Sequence, residues 1–421
     1  MTPNAVRAAV APAETSGGLW ERVRRVLPFL GPAFVASVAY MDPGNFATNV
    51  QAGADYGYML LWVLLASNLM AILIQSLSAK LGIASGMTLP QAIRANTGRK
   101  ANIGLWISAE AAAMATDLAE FLGAAVGMHI LFGLDLFVSA LLTAVASFAI
   151  LAIERRGHTR LEAVIFAFVA VIGACFFVEI FVADPDPAGI VRGMFVPQIT
   201  SSAVYVAVGM VGATVMPHVV YLHSGLVQHR AGILGHDRKR EHFRRELVDI
   251  ALAMNGAWLI NSSMVIMAAA VFYAGGVPID GLEDAQATLD PLLGNMAAYA
   301  FGIALLASGL SSSAVGTMAG QMIVDGFMQW RVSVFLRRFV TMIPALIVIG
   351  LGVNTLDTLV ASQVVLSLVL PFAVIPLVWL TSRRDVMGDL VNGPVIRGLA
   401  ILVAVLVLAM NAVLLYVTAT G

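Results

Sequence analysis

Eleven apolar runs follow one another along this chain, most of them near or above the roughly 20 residues that a helix needs to cross a bilayer core. They cover approximately residues 28–52, 57–80, 103–131, 134–153, 161–182, 203–228, 248–274, 296–325, 338–353, 357–380 and 396–418. The third and eighth are long enough to require tilt or an extramembrane turn. Only 12% of the 421 residues are charged and 59% are apolar. That is about half the charged share of soluble domains, too little to cover a water-exposed surface. The reading is an all-α polytopic membrane protein.

Loop charges support the count of eleven. With the N-terminus inside, 23 of the 24 basic residues fall on the cytoplasmic side, and only Arg192 falls outside. The cytoplasmic groups include Arg7, Arg22, Arg24 and Arg25 in the tail, Arg155, Arg156 and Arg160, and the run from Arg238 to Arg245. The segment 275–295 carries Asp280, Glu283, Asp284 and Asp290 and no basic residue. Removing one run would destroy this alternation, so the positive-inside rule places the N-terminus in the cytoplasm and the C-terminus outside. No signal peptide is expected: residues 1–19 lack an apolar stretch, and Glu21 to Arg25 form a basic collar. Basic and acidic residues balance at 24 and 25, which gives no sign of nucleic-acid binding. The single Cys175 excludes an internal disulfide and a thiolate metal cluster.

The first and sixth runs are interrupted by proline. In Tyr40-Met41-Asp42-Pro43-Gly44-Asn45, Pro43 removes a backbone donor and Gly44 tolerates unusual dihedrals, so the helix unwinds near mid-membrane. Unwound backbone at that depth survives only against protein or a watery cavity. A carboxylate there costs several kcal/mol unless a cation offsets it. Asp42, Asn45 and a freed carbonyl such as that of Ala39 would supply hard oxygen ligands; the alternative is a proline kink with a capping Asp. At the second break, Met216-Pro217-His218, the candidates are the thioether of Met216 and the carbonyl of Ala213. A thioether gains little from Mg²⁺ or Ca²⁺ and suits first-row transition metals. His218 could bind metal, carry protons or simply bond to backbone. Asn261 and Gln363 lie within runs 7 and 10 and could supplement the site.

Five runs separate the two breaks, so runs 1–5 and 6–10 enter the membrane in opposite directions. That is the pattern of an inverted-repeat transporter with broken helices 1 and 6. The expected divisions are a cytoplasmic tail 1–27, a first repeat 28–195, a second repeat 196–382, and a loop with helix 11 at 383–421. In the third run, Glu110, Asp117 and Glu120 stand seven and three residues apart on one stripe. They should face the protein interior as a proton relay or as structural ion pairs, with Arg337 and Arg338 as basic partners. Gly309 to Ser313 suits close helix packing. His129 and Glu179, toward the outer ends of their runs, are expected to reach water.

These motifs, together with Met114 to Phe121 and Ala307 to Ser313, resemble the NRAMP family of proton-coupled divalent metal transporters. The resemblance covers the chain from about residue 26, with no departure at the motif positions. It implies a leucine-transporter-like 5+5 inverted repeat, alternating access, and import of Mn²⁺ or Fe²⁺ with H⁺ cotransport. It also implies a location in the bacterial cytoplasmic membrane. Carried over by position, Asp42, Asn45, Met216 and the carbonyls of Ala39 and Ala213 resemble metal ligands, assisted by Gln363 and Asn261. Glu110, Asp117, Glu120, Arg337 and Arg338 resemble the proton pathway, with His218 between the two systems. Expected partners are the metal ion, protons and membrane lipid, without a cofactor or an obligate protein partner. A sodium-coupled amino-acid carrier fits less well, because Asp42 would repel a substrate carboxylate. An intramembrane hydrolase lacks both a Gly-x-Ser-x-Gly elbow at Gly309 and a His-Glu-x-x-His pair. A passive metal channel could use the same ligands.

Overall fold

Apolar side chains dictate helices here, because lipid offers no partner to an open backbone. The computed structural model describes residues 31–420 except 155–157, 235–237, 284 and 287–294, and among these there is no strand. The tail with Arg7, Arg22, Arg24 and Arg25, the loop residues Arg155 and Arg156, and Asp284 and Asp290 lie outside the described residues. The helices are α1 (Pro32–Ala39), α2 (Pro43–Tyr56), α3 (Leu61–Ser85), α4 (Leu89–Asn96), α5 (Arg99–Phe132) and α6 (Leu136–Glu154). They continue with α7 (His158–Ala183), α8 (Pro187–Phe195), α9 (Val204–Thr214), α10 (Pro217–Leu234), α11 (Lys239–Ala268) and α12 (Asn295–Met328). The last are α13 (Val334–Gly350), α14 (Thr355–Val369), α15 (Pro371–Thr381), the short α16 (Arg384–Met387) and α17 (Pro394–Thr420).

Seven helical stretches among the described residues are long and apolar enough to cross a membrane. Both expected breaks are present: α1 ends at Ala39 and α2 begins at Pro43, while α9 ends at Thr214 and α10 begins at Pro217. Each proline opens the second half-helix, where its missing N–H costs nothing. The third run is one unbroken helix of 34 residues, roughly 50 Å long. An extramembrane turn is therefore not how it absorbs its length. Two features fall outside the runs read from sequence. The amphipathic α4 is held by a capping box between Thr88 and Gln91, and α8 by the Asp186 carboxylate on the N–H groups of Ala188 and Gly189.

Close helix contacts need small residues. A Cβ on Gly309 would lie 2.7 Å from the Glu120 carbonyl oxygen, so α12 and α5 touch backbone to backbone there. A Cβ on Gly123 would meet the Pro43 ring at 2.0 Å, which seats α5 against the first break. The expected packing role of Gly309 to Ser313 is thus met by its glycine, while its Ser313 joins the polar network described below.

Candidate metal and proton site

The first break interrupts the helical ladder, so the carbonyls from Ser37 to Met41 need other partners. Tight turns recover part of this: the N–H groups of Tyr40, Met41 and Asp42 donate to Ser37, Val38 and Ala39 at 3.0–3.1 Å. Two further carbonyls are taken by side chains from distant helices. Asn261 Nδ2 of α11 donates to the Tyr40 carbonyl at 2.6 Å, and Ser308 Oγ of α12 donates to that of Met41. The base of α1 is also held by α11, whose Asp249 Oδ2 accepts from the N–H groups of Gly31 and Ala33 at 3.2 Å each.

Asp42 caps α2. Its Oδ1 accepts from the backbone N–H and the side-chain Nδ2 of Asn45, both at 2.8 Å. Asn45 Nδ2 also donates to the Ala213 carbonyl at 3.0 Å, so this one amide spans from the first break to the second. Gln363 of α14 sits between the same two breaks. A Cβ on Gly44 would strike its side-chain nitrogen at 1.8 Å, and a Cβ on Gly212 its carbonyl oxygen at 2.0 Å. Met216 is fully buried in the apolar cluster that also holds Ala39, Tyr40 and Met41.

What these groups leave unpaired matters more than what they bind. Asp42 Oδ2, Asn45 Oδ1 and Gln363 Oε1 are buried without a hydrogen-bond partner. Buried acceptors without a donor are costly, and these three gather around one pair of helix breaks. Among the described residues no group of three or more His, Cys, Asp or Glu side chains could hold a metal ion. A cation held here would therefore need amide oxygens, backbone carbonyls or the Met216 sulfur beside the Asp42 carboxylate.

His218 stands at the start of α10 with its Nδ1 3.0 Å from Thr116 Oγ1 of α5, and its Nε2 is buried and unpaired. The next residue of α5, Asp117, accepts from Arg338 Nη1 at 2.7 Å. That same Nη1 lies 3.6 Å from Glu120 Oε2, and Arg338 Nη2 donates to Ser313 Oγ. The preceding residue of α13, Arg337, clamps Glu110 through both carboxylate oxygens at 2.8 and 3.2 Å. The two adjacent arginines thus serve different acids. Arg338 is only 1% exposed and is the largest fully buried side chain among the described residues. A Cβ on Gly316 would lie within 2.8 Å of both Glu120 oxygens, so the carboxylate fills space that a side chain there would need.

Sequence reasoning missed a second buried chain. Gln75 of α3 donates to the Tyr40 hydroxyl at 2.6 Å and its Oε1 lies 2.8 Å from His223 Nδ1, while His223 Nε2 lies 3.1 Å from Glu246 of α11. The available signal was His223 itself, an imidazole five residues beyond His218 inside an apolar run. Glu179 overturns another expectation. It is fully buried rather than in water, whereas His129 is half-buried with Nδ1 on the Leu134 carbonyl.

Comparison with known proteins gives the arrangement a family. The natural resistance-associated macrophage protein-like (Nramp) profile matches residues 33–417, nearly the whole chain. The chain belongs to the Nramp family. Among its Nramp relatives is the divalent metal cation transporter MntH of Caldanaerobacter subterraneus subsp. tengcongensis, 50% identical over 400 residues, which are 95% of either chain. A crystal structure of the Eremococcus coleocola manganese transporter, bound to an aromatic bis-isothiourea substituted compound, superposes with a TM-score of 0.82 at 30% identity. It covers 96% of this Nramp chain and 88% of its own. Mhp1, a nucleobase-cation-symport-1 family transporter, matches at a TM-score of 0.61 and 14% identity over 93% of each chain. That likeness speaks for the leucine-transporter-like fold alone. The relatives carry the names of transporters, not of enzymes.

Proposed function

We propose that this protein imports divalent transition metal ions, Mn²⁺ and Fe²⁺, across the bacterial cytoplasmic membrane together with protons by alternating access. The reading rests on one observation above the others: three unpaired buried oxygens, from Asp42, Asn45 and Gln363, gather where two broken helices meet. Asp42, Asn45, the carbonyls of Ala39 and Ala213, and Met216 are the proposed ligands, with Gln363 and Asn261 assisting. The names of the MntH and manganese-transporter relatives support the choice of cargo. A thioether favours such ions over Ca²⁺ and Mg²⁺.

In the same reading protons use a separate track. Metal entry displaces the proton that shares Asp42, because a ligand must be deprotonated to bind. His218 and Thr116 connect that site to Asp117, Glu120 and Arg338, with Glu110 and Arg337 beyond. The loop charges support eleven spans with the N-terminus in the cytoplasm and the C-terminus outside. Residues 28–195 and 196–382 form the two repeats, and 383–421 the appended helix.

Proteoliposomes carrying an internal pH dye test the whole scheme. Uptake of Mn²⁺ or Fe²⁺ should saturate and acidify the interior, and Ca²⁺ and Mg²⁺ should be excluded. Non-saturable uptake without acidification would instead mark a passive channel.

A further inference from the structure

Glu179 lies in α7 one turn before the helix ends at Ala183, and is 0% exposed. Both of its carboxylate oxygens are buried and neither has a hydrogen-bond partner. The other buried acids on the page each keep a donor or a cation: Asp42 has Asn45, Asp117 and Glu120 have Arg338, Glu246 has His223, and Asp249 has two backbone N–H groups. An ionised carboxylate stripped of water with nothing in exchange costs several kcal/mol at least. A proton removes that cost.

We infer that Glu179 is a second proton-binding carboxyl, near the outer face of the protein and separate from the Asp117–Glu120 network. The placement rests on the orientation given under the proposed function; the protonation does not. The elements packed against α7 are α1, α6, α11 and α12. Among the described residues, the charged groups that follow its outer end along the chain are Asp184, Asp186 and Arg192, all exposed; the outer loop between α11 and α12 adds the exposed Asp280 and the part-buried Glu283, and His129 at the end of α5 is half-buried. One turn inward on α7 the neighbouring titratable group is Cys175. None of these pairs with the Glu179 carboxyl, whose two oxygens have no partner, so the carboxyl is buried as the neutral acid.

Its position ties that proton to movement. One turn below Glu179, the Phe176 ring packs on Phe46 with centroids 5.1 Å apart, and Phe46 directly follows Asn45. When the outer half opens and water reaches the end of α7, Glu179 ionises. To repack α7 against α2, it must take a proton back from the outer solution. Protonation from outside thereby becomes a condition for closing over the metal.

The test uses full-length protein in lipid. Infrared spectra should show the carbonyl stretch of a protonated carboxyl that is lost in Glu179→Gln, while manganese affinity measured by calorimetry stays unchanged. Uptake by Glu179→Gln, a mimic of the neutral acid, should fall less steeply than the parent's as external pH rises. Identical spectra in parent and variant would overturn the protonation, and an identical pH profile would overturn the link to closure. A buried neutral acid tolerates replacement by an amide or by an apolar residue of similar size. Failure of both Glu179→Gln and Glu179→Leu to give monodisperse protein would therefore also overturn the proposal. Absence of manganese uptake by the parent would refute the transport reading instead, and the infrared band would still report on Glu179.

Discussion

The two helix breaks do the same topological job with opposite chemistry. The first spreads over Tyr40, Met41 and Asp42, places a carboxylate at a helix N-terminus, and draws side chains from α11 and α12 onto its carbonyls. The second is two residues long, Val215 and Met216, and it offers a sulfur and the Ala213 carbonyl. In the proposed function the charged, heavily braced break attracts a dication and the short apolar one rejects the hard ions. Site strength and site selectivity can therefore be separated by mutation.

The largest effect should follow from Asp42→Ala, which removes the only carboxylate at the breaks; uptake should fall at least about 100-fold, equivalent to some 3 kcal/mol of binding. Retained uptake in proteoliposomes would dismiss Asp42 as the central ligand. Next comes Gly212→Ala, whose Cβ would press on the Gln363 backbone. It should lower thermal stability by about 1–3 kcal/mol, as overpacking does. Gly44→Ala meets only the end of the Gln363 side chain, which can swing away, so it should melt higher than Gly212→Ala. The reverse order would undo the claim that Gln363 joins the two breaks.

A selectivity effect should come from Met216→Ala. Mn²⁺ uptake should persist while discrimination against Ca²⁺ and Mg²⁺ weakens about tenfold, or 1.4 kcal/mol. Unchanged competition by the hard ions would end the thioether argument. The smallest effect should be that of Ser308→Ala, which strips one donor from the Met41 carbonyl and should cost about 1 kcal/mol of stability. A loss as large as that for Gly212→Ala would mean that this serine also acts on the metal.

The breaks were legible in the sequence because proline and glycine act through the local chain, and so do the stripe of three carboxylates and its two arginines. The pairing of those arginines was not legible. Adjacent residues on α13 face different acids, which depends on how α13 crosses α5. The fate of the freed carbonyls was equally hidden: Ser308 lies 267 residues from Met41 and Asn261 lies 221 from Tyr40. Glu179 was misjudged because distance along a helix stood in for depth. Nearness to a helix end says nothing about which neighbours cover the side chain.

The bracing of α1 has a mechanical meaning. Asp249 grips its base and Asn261 its tip, and both belong to α11. The half-helix is a strut bolted at each end to a single beam. Swinging it alone would shear three hydrogen bonds at once, whereas moving both together strains none of them. The stiffness of this half-helix is thus borrowed from α11, and the joint between the two halves is left at Met41 and Asp42.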